Sequence, residues 1–83
     1  MEIQYSIHAE SVIAERNINK EWISATIRNP MRIENDNIDK ELSHYLRKIP
    51  EKENRVLRVI LNANENPPKI VTVYFDRNVR EIL

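Results

Sequence analysis

The stretch VLRVILN (residues 56–62) is the clearest β-strand signal in the sequence, and the fold follows from it. Valine, leucine and isoleucine dominate it, and the polar sequences PEKEN and NANENPP bound it on either side. A second run of the same kind, IVTVYF (residues 70–75), follows the second polar sequence. β-branched and aromatic residues between turn-forming sequences are typical of paired strands. We therefore expect two antiparallel strands here.

Two further strands are expected on the N-terminal side of this pair. MRIE (residues 31–34) alternates apolar with charged residues, and LSHYLRKI (residues 42–49) separates Leu42, His44 and Leu46 from Ser43, Tyr45, Arg47 and Ile49. Period-two alternation predicts strands. The sheet is therefore expected to have four antiparallel strands in sequence order.

The N-terminal third of the chain has the signals of two short helices. Ser6 is a good N-cap, and Ala9, Val12 and Ile13 form one helical stripe, which predicts a helix from Ile7 to Arg16. Asn17 suits the left-handed residue that ends a helix, since the chain has no glycine.

The second helix is expected from Lys20 to Arg28. Asn19 is its N-cap, Ile18 and Ile23 take the two positions of a hydrophobic staple, and Pro30 ends it.

These elements predict an α+β fold in which two N-terminal helices pack on one face of a four-stranded antiparallel sheet, as a single domain over residues 1–83. The strand residues expected to face the helices, and so to be buried with Ile13 and Ile27, are Leu57, Val59, Leu61, Val71, Val73 and Phe75.

Composition excludes several classes of function. The 83 residues contain no cysteine, no glycine and two histidines, so thiol chemistry, glycine-rich phosphate loops and a convincing metal cluster are not expected. No cofactor or metal is predicted. The sequence lacks a long apolar segment and a signal-peptide pattern, so a cytoplasmic location without membrane association is expected.

The charges are unevenly distributed although the net charge is zero. Residues 34–41 contain four carboxylates and one lysine. From residue 47 to residue 58 the cations outnumber the carboxylates, with Arg47, Lys48, Lys52, Arg55 and Arg58 against Glu51 and Glu53. Two interpretations stay open: solvated charges in turns and on strand edges, or a locally basic surface. A neutral protein does not bind nucleic acid by overall charge, so only a local surface could do so.

Strand alternation places Arg58, Thr72 and Tyr74 on the open face of the sheet, with Tyr45 and Arg47 joining them if the strand register permits. Exposed arginine and tyrosine also suit a strand for packing reasons alone, so this set predicts a binding face or simply a sheet surface. His44, which alternates with leucines, is expected to face the helices.

His8 and Arg16 are the candidates on the first helix. The helix N-terminus disfavours a charged imidazole, which leaves His8 able to accept a proton. Alternatively, His8 bonds a nearby carbonyl, and Arg16 pairs with a carboxylate near the helix end.

The run YSIHAESVIAERNIN, the dipeptide NP, the aromatic strand around Tyr45, and the strands VLRVIL and IVTVYF together resemble the small bacterial family catalogued as domain of unknown function 4258. The resemblance extends from Tyr5 to Phe75. The family commonly has an arginine one turn after the histidine, where this chain has Val12.

The resemblance implies a fold similar to RelE-type toxins, which are metal-free ribonucleases. Carried over residue by residue, it implies catalytic roles for His8, Arg16, Arg58 and Tyr74, and substrate binding by Tyr45 and Thr72. Strand alternation adds Arg47 to the substrate-binding set. His8 would be the base beside Arg58 and Tyr74, at the rim of the open sheet face. The expected partners are RNA, an antitoxin or another protein, and a second copy of the chain.

Two hypotheses result. The protein is a metal-independent ribonuclease toxin or toxin-like domain that cleaves RNA by acid–base chemistry, or it is a non-catalytic protein-interaction domain of the same fold.

Overall fold

The computed structural model describes residues 2–82, with side chains described for residues 2–79. These residues form, in order, β1 (Gln4–Tyr5), α1 (Ile7–Arg16), α2 (Lys20–Arg28), β2 (Arg32–Asn35), β3 (Ser43–Ile49), β4 (Arg55–Asn62) and β5 (Lys69–Asp76). A 3-10 turn (Pro50–Lys52) joins β3 to β4, and a 3-10 segment (Arg77–Ile82) follows β5. Neither α1 nor α2 is long and apolar enough to span a bilayer.

The sheet is mixed, with the strand order β1-β5-β4-β3-β2. Strands β2 to β5 pair antiparallel as predicted, but β1 adds a fifth strand parallel to β5. The prediction of four purely antiparallel strands is wrong in this detail. β1 has only two residues, which are too few to show the alternation that predicts a strand. Backbone hydrogen bonds hold it in place: Gln4 N–H donates to Pro68 O (2.8 Å), and Ser6 N–H donates to Ile70 O (2.9 Å).

The predicted helix boundaries and caps are confirmed. The Ser6 hydroxyl accepts a hydrogen bond from Ala9 N–H, and the Asn19 side chain accepts one from Glu21 N–H. Asn17 ends α1 in the left-handed region, with φ 56° and ψ 45°. Ile18 then folds back and donates its N–H to Ile13 O (3.0 Å). Local capping chemistry therefore fixes the corner between the two helices.

Both helices pack on one face of the sheet, as expected. The buried core consists of Ala9, Ile13, Ile18, Ile23, Ile49, Leu57, Val59, Leu61, Ile70 and Val73, and Ile27, Trp22, Tyr45 and Phe75 pack against it. The core thus draws on both helices and on the central strands, and neither α1 nor α2 packs on the other face of the sheet.

One predicted core residue is displaced by a β-bulge. The register shifts between Ile60 and Leu61, so that Ile60 pairs with Thr72 but Leu61 pairs with Ile70. Ile70 is fully buried and Val71 is only half-buried, so the prediction that Val71 belongs to the core is wrong. The bulge inserts one residue into β5 and reverses its alternation at that point.

The orientation of β3 also differs from the prediction. Tyr45 lies opposite Val59 in the ladder and packs against the core, whereas His44 lies opposite Ile60 on the face without helices. Tyr45 and Arg47 therefore do not join the open face, and His44 does. The prediction for His44 assumed that Leu46, on the same face of β3, is buried against the helices. Leu46 is fully buried, but it lies on the open face, opposite Arg58.

Candidate functional site

The main candidate site is an open depression of about 460 Å³ at one end of the sheet. It lies where α1 ends, β4 begins and β5 ends. The described residues that line it, here called the basic cleft, are Arg16, Ile18, Lys52, Arg55, Tyr74, Phe75, Asp76, Arg77 and Asn78.

Backbone turns without glycine bring these side chains together. Arg16 stands in the last turn of α1, directly before the left-handed residue Asn17. Arg55 opens β4 after two further left-handed residues, Glu53 (φ 57°) and Asn54 (φ 60°), which turn the chain out of the 3-10 turn. Non-glycine residues adopt positive φ at a cost, so these turns are specific features of this chain.

Aromatic rings form one wall of the basic cleft and hold its cations in place. The Arg55 guanidinium lies 4.6 Å from the centre of the Phe75 ring, and the Lys52 ammonium lies 5.9 Å from the centre of the Trp22 ring. Trp22 and Phe75 contact each other edge to face, with 6.1 Å between ring centres. Cations stacked on rings keep their charge and their free N–H donors.

The basic cleft is positively charged. The salt bridges found among the described side chains include none of Arg16, Lys52, Arg55 and Arg77. The one carboxylate in the described lining is that of Asp76, which accepts hydrogen bonds from Arg58 Nε (2.8 Å) and Asn78 N–H (2.9 Å). An anion such as a phosphodiester is therefore the ligand that this charge favours.

A second cluster occupies the open face behind the basic cleft, and Arg58 is its centre. The Arg58 guanidinium is nearly buried and donates to Asp76, to Glu34 (3.0 Å) and to His44 Nδ1 (2.7 Å). His44 Nε2 in turn lies 2.7 Å from a carboxylate oxygen of Asp36. Because a guanidinium only donates, Nδ1 of His44 accepts and Nε2 donates, which makes His44 the neutral Nε2–H tautomer.

The carboxylates of this cluster set its electrostatics. Burial by itself would lower the pKa of Arg58, but its hydrogen bonds to Glu34 and Asp76 outweigh burial and raise the pKa. The Asp36 carboxylate accepts backbone N–H bonds from Asp39 and Ile38 and the bond from His44, which together lower its pKa to about 2. Both groups are therefore charged at neutral pH.

The structure separates the residues that the sequence grouped together. Arg16 and Tyr74 both line the basic cleft. Arg58 lies beside Tyr74 in the ladder but reaches the basic cleft only through Asp76. Thr72 lies on the open face opposite Ile60.

The predicted pairing of His8 with Arg58 is wrong. His8 is exposed on α1, which packs on the helix side of the sheet. Arg58 alternates with Leu57 and Val59, which face the helices, so its guanidinium is on the other side. On the helix side, Tyr45 packs on the core and the Arg47 guanidinium donates to Asn29 O (2.9 Å) at the end of α2.

Lys52, Arg55 and Arg77 line the basic cleft without having a distinct signal in the sequence. The excess of positive charge between Arg47 and Arg58 points to the first two, but the same pattern is typical of solvated charges. The turn at Glu53 and Asn54 brings Lys52 and Arg55 beside Arg16. The geometry of this turn cannot be predicted from the types of its residues.

No group of three or more His, Asp or Glu side chains among the described residues is placed to hold a metal ion.

The fold and the site together define a small α+β domain with a basic cleft lined by aromatic residues. The sequence model of the family described as Domain of unknown function (DUF4258) matches residues 5–75, and the chain belongs to this family. The chain was also compared with curated proteins and with solved structures, and neither comparison found a match.

Proposed function

We propose that this protein is a metal-independent ribonuclease of the toxin type, and that the basic cleft binds the phosphodiester it cleaves. The observation that supports this proposal is the convergence of Arg16, Lys52, Arg55 and Arg77 with Tyr74 in one depression. None of these cations belongs to a salt bridge between described side chains.

Cleavage follows from what these groups supply. The RNA 2′-oxygen attacks the adjacent phosphorus and the bond from phosphorus to the 5′-oxygen breaks, which leaves a 2′,3′-cyclic phosphate and a 5′-hydroxyl. Arg16 and Arg55 stabilise the additional negative charge of the phosphorane. The Tyr74 hydroxyl donates a proton to the leaving 5′-oxygen, and the 2′-hydroxyl proton passes to solvent, which also returns a proton to Tyr74.

The proposed biological setting comes from the family and from the arrangement of the elements. The sequence resemblance implies a fold of the RelE toxin type, and an arrangement of two helices on one face of a largely antiparallel sheet is compatible with it. On that basis we propose a bacterial, cytoplasmic toxin or toxin-like role. We propose an antitoxin protein as the neutralising partner.

The test uses the purified protein with single-stranded RNA in the presence of a chelator. Tyr74→Phe keeps the ring but removes the hydroxyl, and we expect its cleavage rate to fall by about a hundredfold. Arg16→Ala should lose a similar factor, because it removes one stabiliser of the phosphorane charge. Cyclic phosphate ends, measured by mass spectrometry, would identify the chemistry.

Lys40→Ala is the matched control, because Lys40 is exposed between β2 and β3 and lies outside the basic cleft. It should cleave RNA at the wild-type rate. Cleavage by Arg16→Ala and Tyr74→Phe at the rate of Lys40→Ala, with all three variants folded, would contradict the proposed site. A wild-type protein that leaves every RNA intact would contradict the function.

A second candidate function is protein interaction, and the edge strand β2 favours it. β2 ends the sheet, so within the described part of the chain no strand pairs with its outer backbone. Met31 and Ile33 are half exposed beside this edge, and Ile38, in the connection that follows, is almost fully exposed. An unprotected edge with apolar side chains is a common site for pairing with a further strand.

A further inference from the structure

A second depression, of about 660 Å³, lies between α2 and the 3-10 turn. Its described lining contains Trp22, the cations Arg28, Arg47 and Lys48, and the carboxylates Glu21 and Glu51. We call it the α2 depression.

The α2 depression and the basic cleft are neighbours. Pro50 and Glu51 of the 3-10 turn line the α2 depression, and Lys52 of the same turn lines the basic cleft. With a rise of about 2 Å per residue, these three residues span about 6 Å.

An aromatic wall also connects the two depressions. Trp22 lines the α2 depression and contacts Phe75, which lines the basic cleft. The ammonium of Lys52, which belongs to the 3-10 turn, lies 5.9 Å from the centre of the Trp22 ring.

The charge of the chain is concentrated along these two depressions. Among the described side chains, these two linings contain seven Lys and Arg residues, out of thirteen in the chain, but only three of the thirteen Asp and Glu residues. A protein with zero net charge therefore has an excess of positive charge, here called the basic band, along the two depressions on either side of the 3-10 turn. Such a band matches an extended polyanion better than a single phosphate.

We propose that the two depressions form one track for single-stranded RNA, an inference that rests on the proposed ribonuclease function. The basic cleft holds the phosphate that is cleaved, the strand crosses the 3-10 turn, and the α2 depression holds the neighbouring nucleotides. The exposed part of Trp22 is a platform on which an unpaired base can stack. In a duplex the bases stack on each other, so the track selects single strands.

The experiment measures binding of fluorescent oligonucleotides with 2′-O-methyl groups, which cannot be cleaved through the 2′-oxygen. A dinucleotide and an octanucleotide are compared for the wild type and for Arg28→Ala/Lys48→Ala. We expect the double variant to bind the octanucleotide about tenfold more weakly, while binding of the dinucleotide changes by less than about threefold. For the octanucleotide, the slope of log K against log salt should be less negative for the double variant than for the wild type by about 1.4, because two phosphate contacts are lost.

Lys40→Ala/Lys69→Ala is the charge-matched control, since neither lysine lines either depression. Its affinity for the octanucleotide should equal that of the wild type.

The two proposals fail in different ways. If the wild type cleaves RNA but binds both oligonucleotides equally, the proposed track is wrong, whereas the proposed ribonuclease function is not contradicted. The same conclusion follows if the wild type cleaves RNA and the two double variants lose the same affinity for the octanucleotide. Tighter binding of duplex RNA than of single-stranded RNA would also overturn the track. If wild type binds the octanucleotide as expected but cleaves no RNA, the catalytic proposal is wrong and the track remains as a binding site.

Discussion

Arg58 connects the two polar surfaces of the molecule, because its guanidinium lies on the open face while its partner Asp76 lines the basic cleft. Neutralisation of Asp76 by Arg58 removes the negative charge that would otherwise repel a phosphate there. Arg58 therefore acts on the basic cleft by positioning and neutralising Asp76, and Arg58 itself is not among the described residues that line the cleft.

Replacement of Arg58 by alanine should destabilise the fold strongly. The change leaves the carboxylate of Asp76 largely buried with one hydrogen-bond donor fewer and breaks the bonds to Glu34 and His44. Loss of one partner from a buried ion pair costs about 3 to 5 kcal/mol of unfolding free energy, which urea denaturation can measure. Arg32→Ala is the control: Arg32 also pairs with Glu34 but is exposed, and its loss should cost less than about 1 kcal/mol. Equal losses for the two variants would show that the Arg58 cluster adds no stability.

The lowered pKa of Asp36 predicts that the stability of the fold depends on pH. Its pKa of about 2 in the folded protein lies below the ordinary value of 3.8, so its carboxylate stabilises the fold above about pH 4 and loses this effect as the pH falls towards 2. Asp36→Asn cannot ionise, and its thermal midpoint should be lower than that of the wild type at pH 7. The difference between the two midpoints should shrink between pH 4 and pH 2. Parallel curves over that range would rule out this role of Asp36.

Among the elements, the edge strand β2 combines an open backbone with exposed apolar side chains, whereas the opposite edge of the sheet is partly covered by β1. If β2 pairs with another chain, Ile33→Lys should abolish the association, because a lysine at an edge disfavours strand pairing. Sedimentation measures the association of two copies of the chain, and co-purification with a co-expressed candidate antitoxin measures the association with a different protein. Thr72→Lys, on the open face near the covered edge, is the control and should leave the association intact. A monomer that binds no partner even as wild type would contradict the interaction role.

The helices were predictable from sequence to the residue, because Ser6, Asn17, Asn19 and Pro30 act on the backbone within one turn of their own positions. The faces of the strands were less predictable. β4 buries residues on both sides, so its alternation does not show which side meets the helices, and the bulge in β5 shifts the pattern by one residue. Two residues of β1 contain no pattern at all.

Part of the candidate site was predictable for the same reasons. Arg16 follows from the end of α1 and Tyr74 from the alternation of β5, and both line the basic cleft. His44 was assigned to the wrong face, because the leucine two residues later is buried away from the helices. Lys52 and Arg55 come into the cleft through backbone turns that depend on the whole fold.

The uneven distribution of charge makes the whole molecule an electric dipole. The acidic connection before β3 and the basic band at its other end are separated by the seven residues of this strand, roughly 20 Å. In the field of a polyanion such a molecule rotates before contact, with its basic end leading, so its association rate should fall with added salt although its net charge is zero. At neutral pH the same separation lets one protein adhere to both anion-exchange and cation-exchange resins at low salt, by opposite ends.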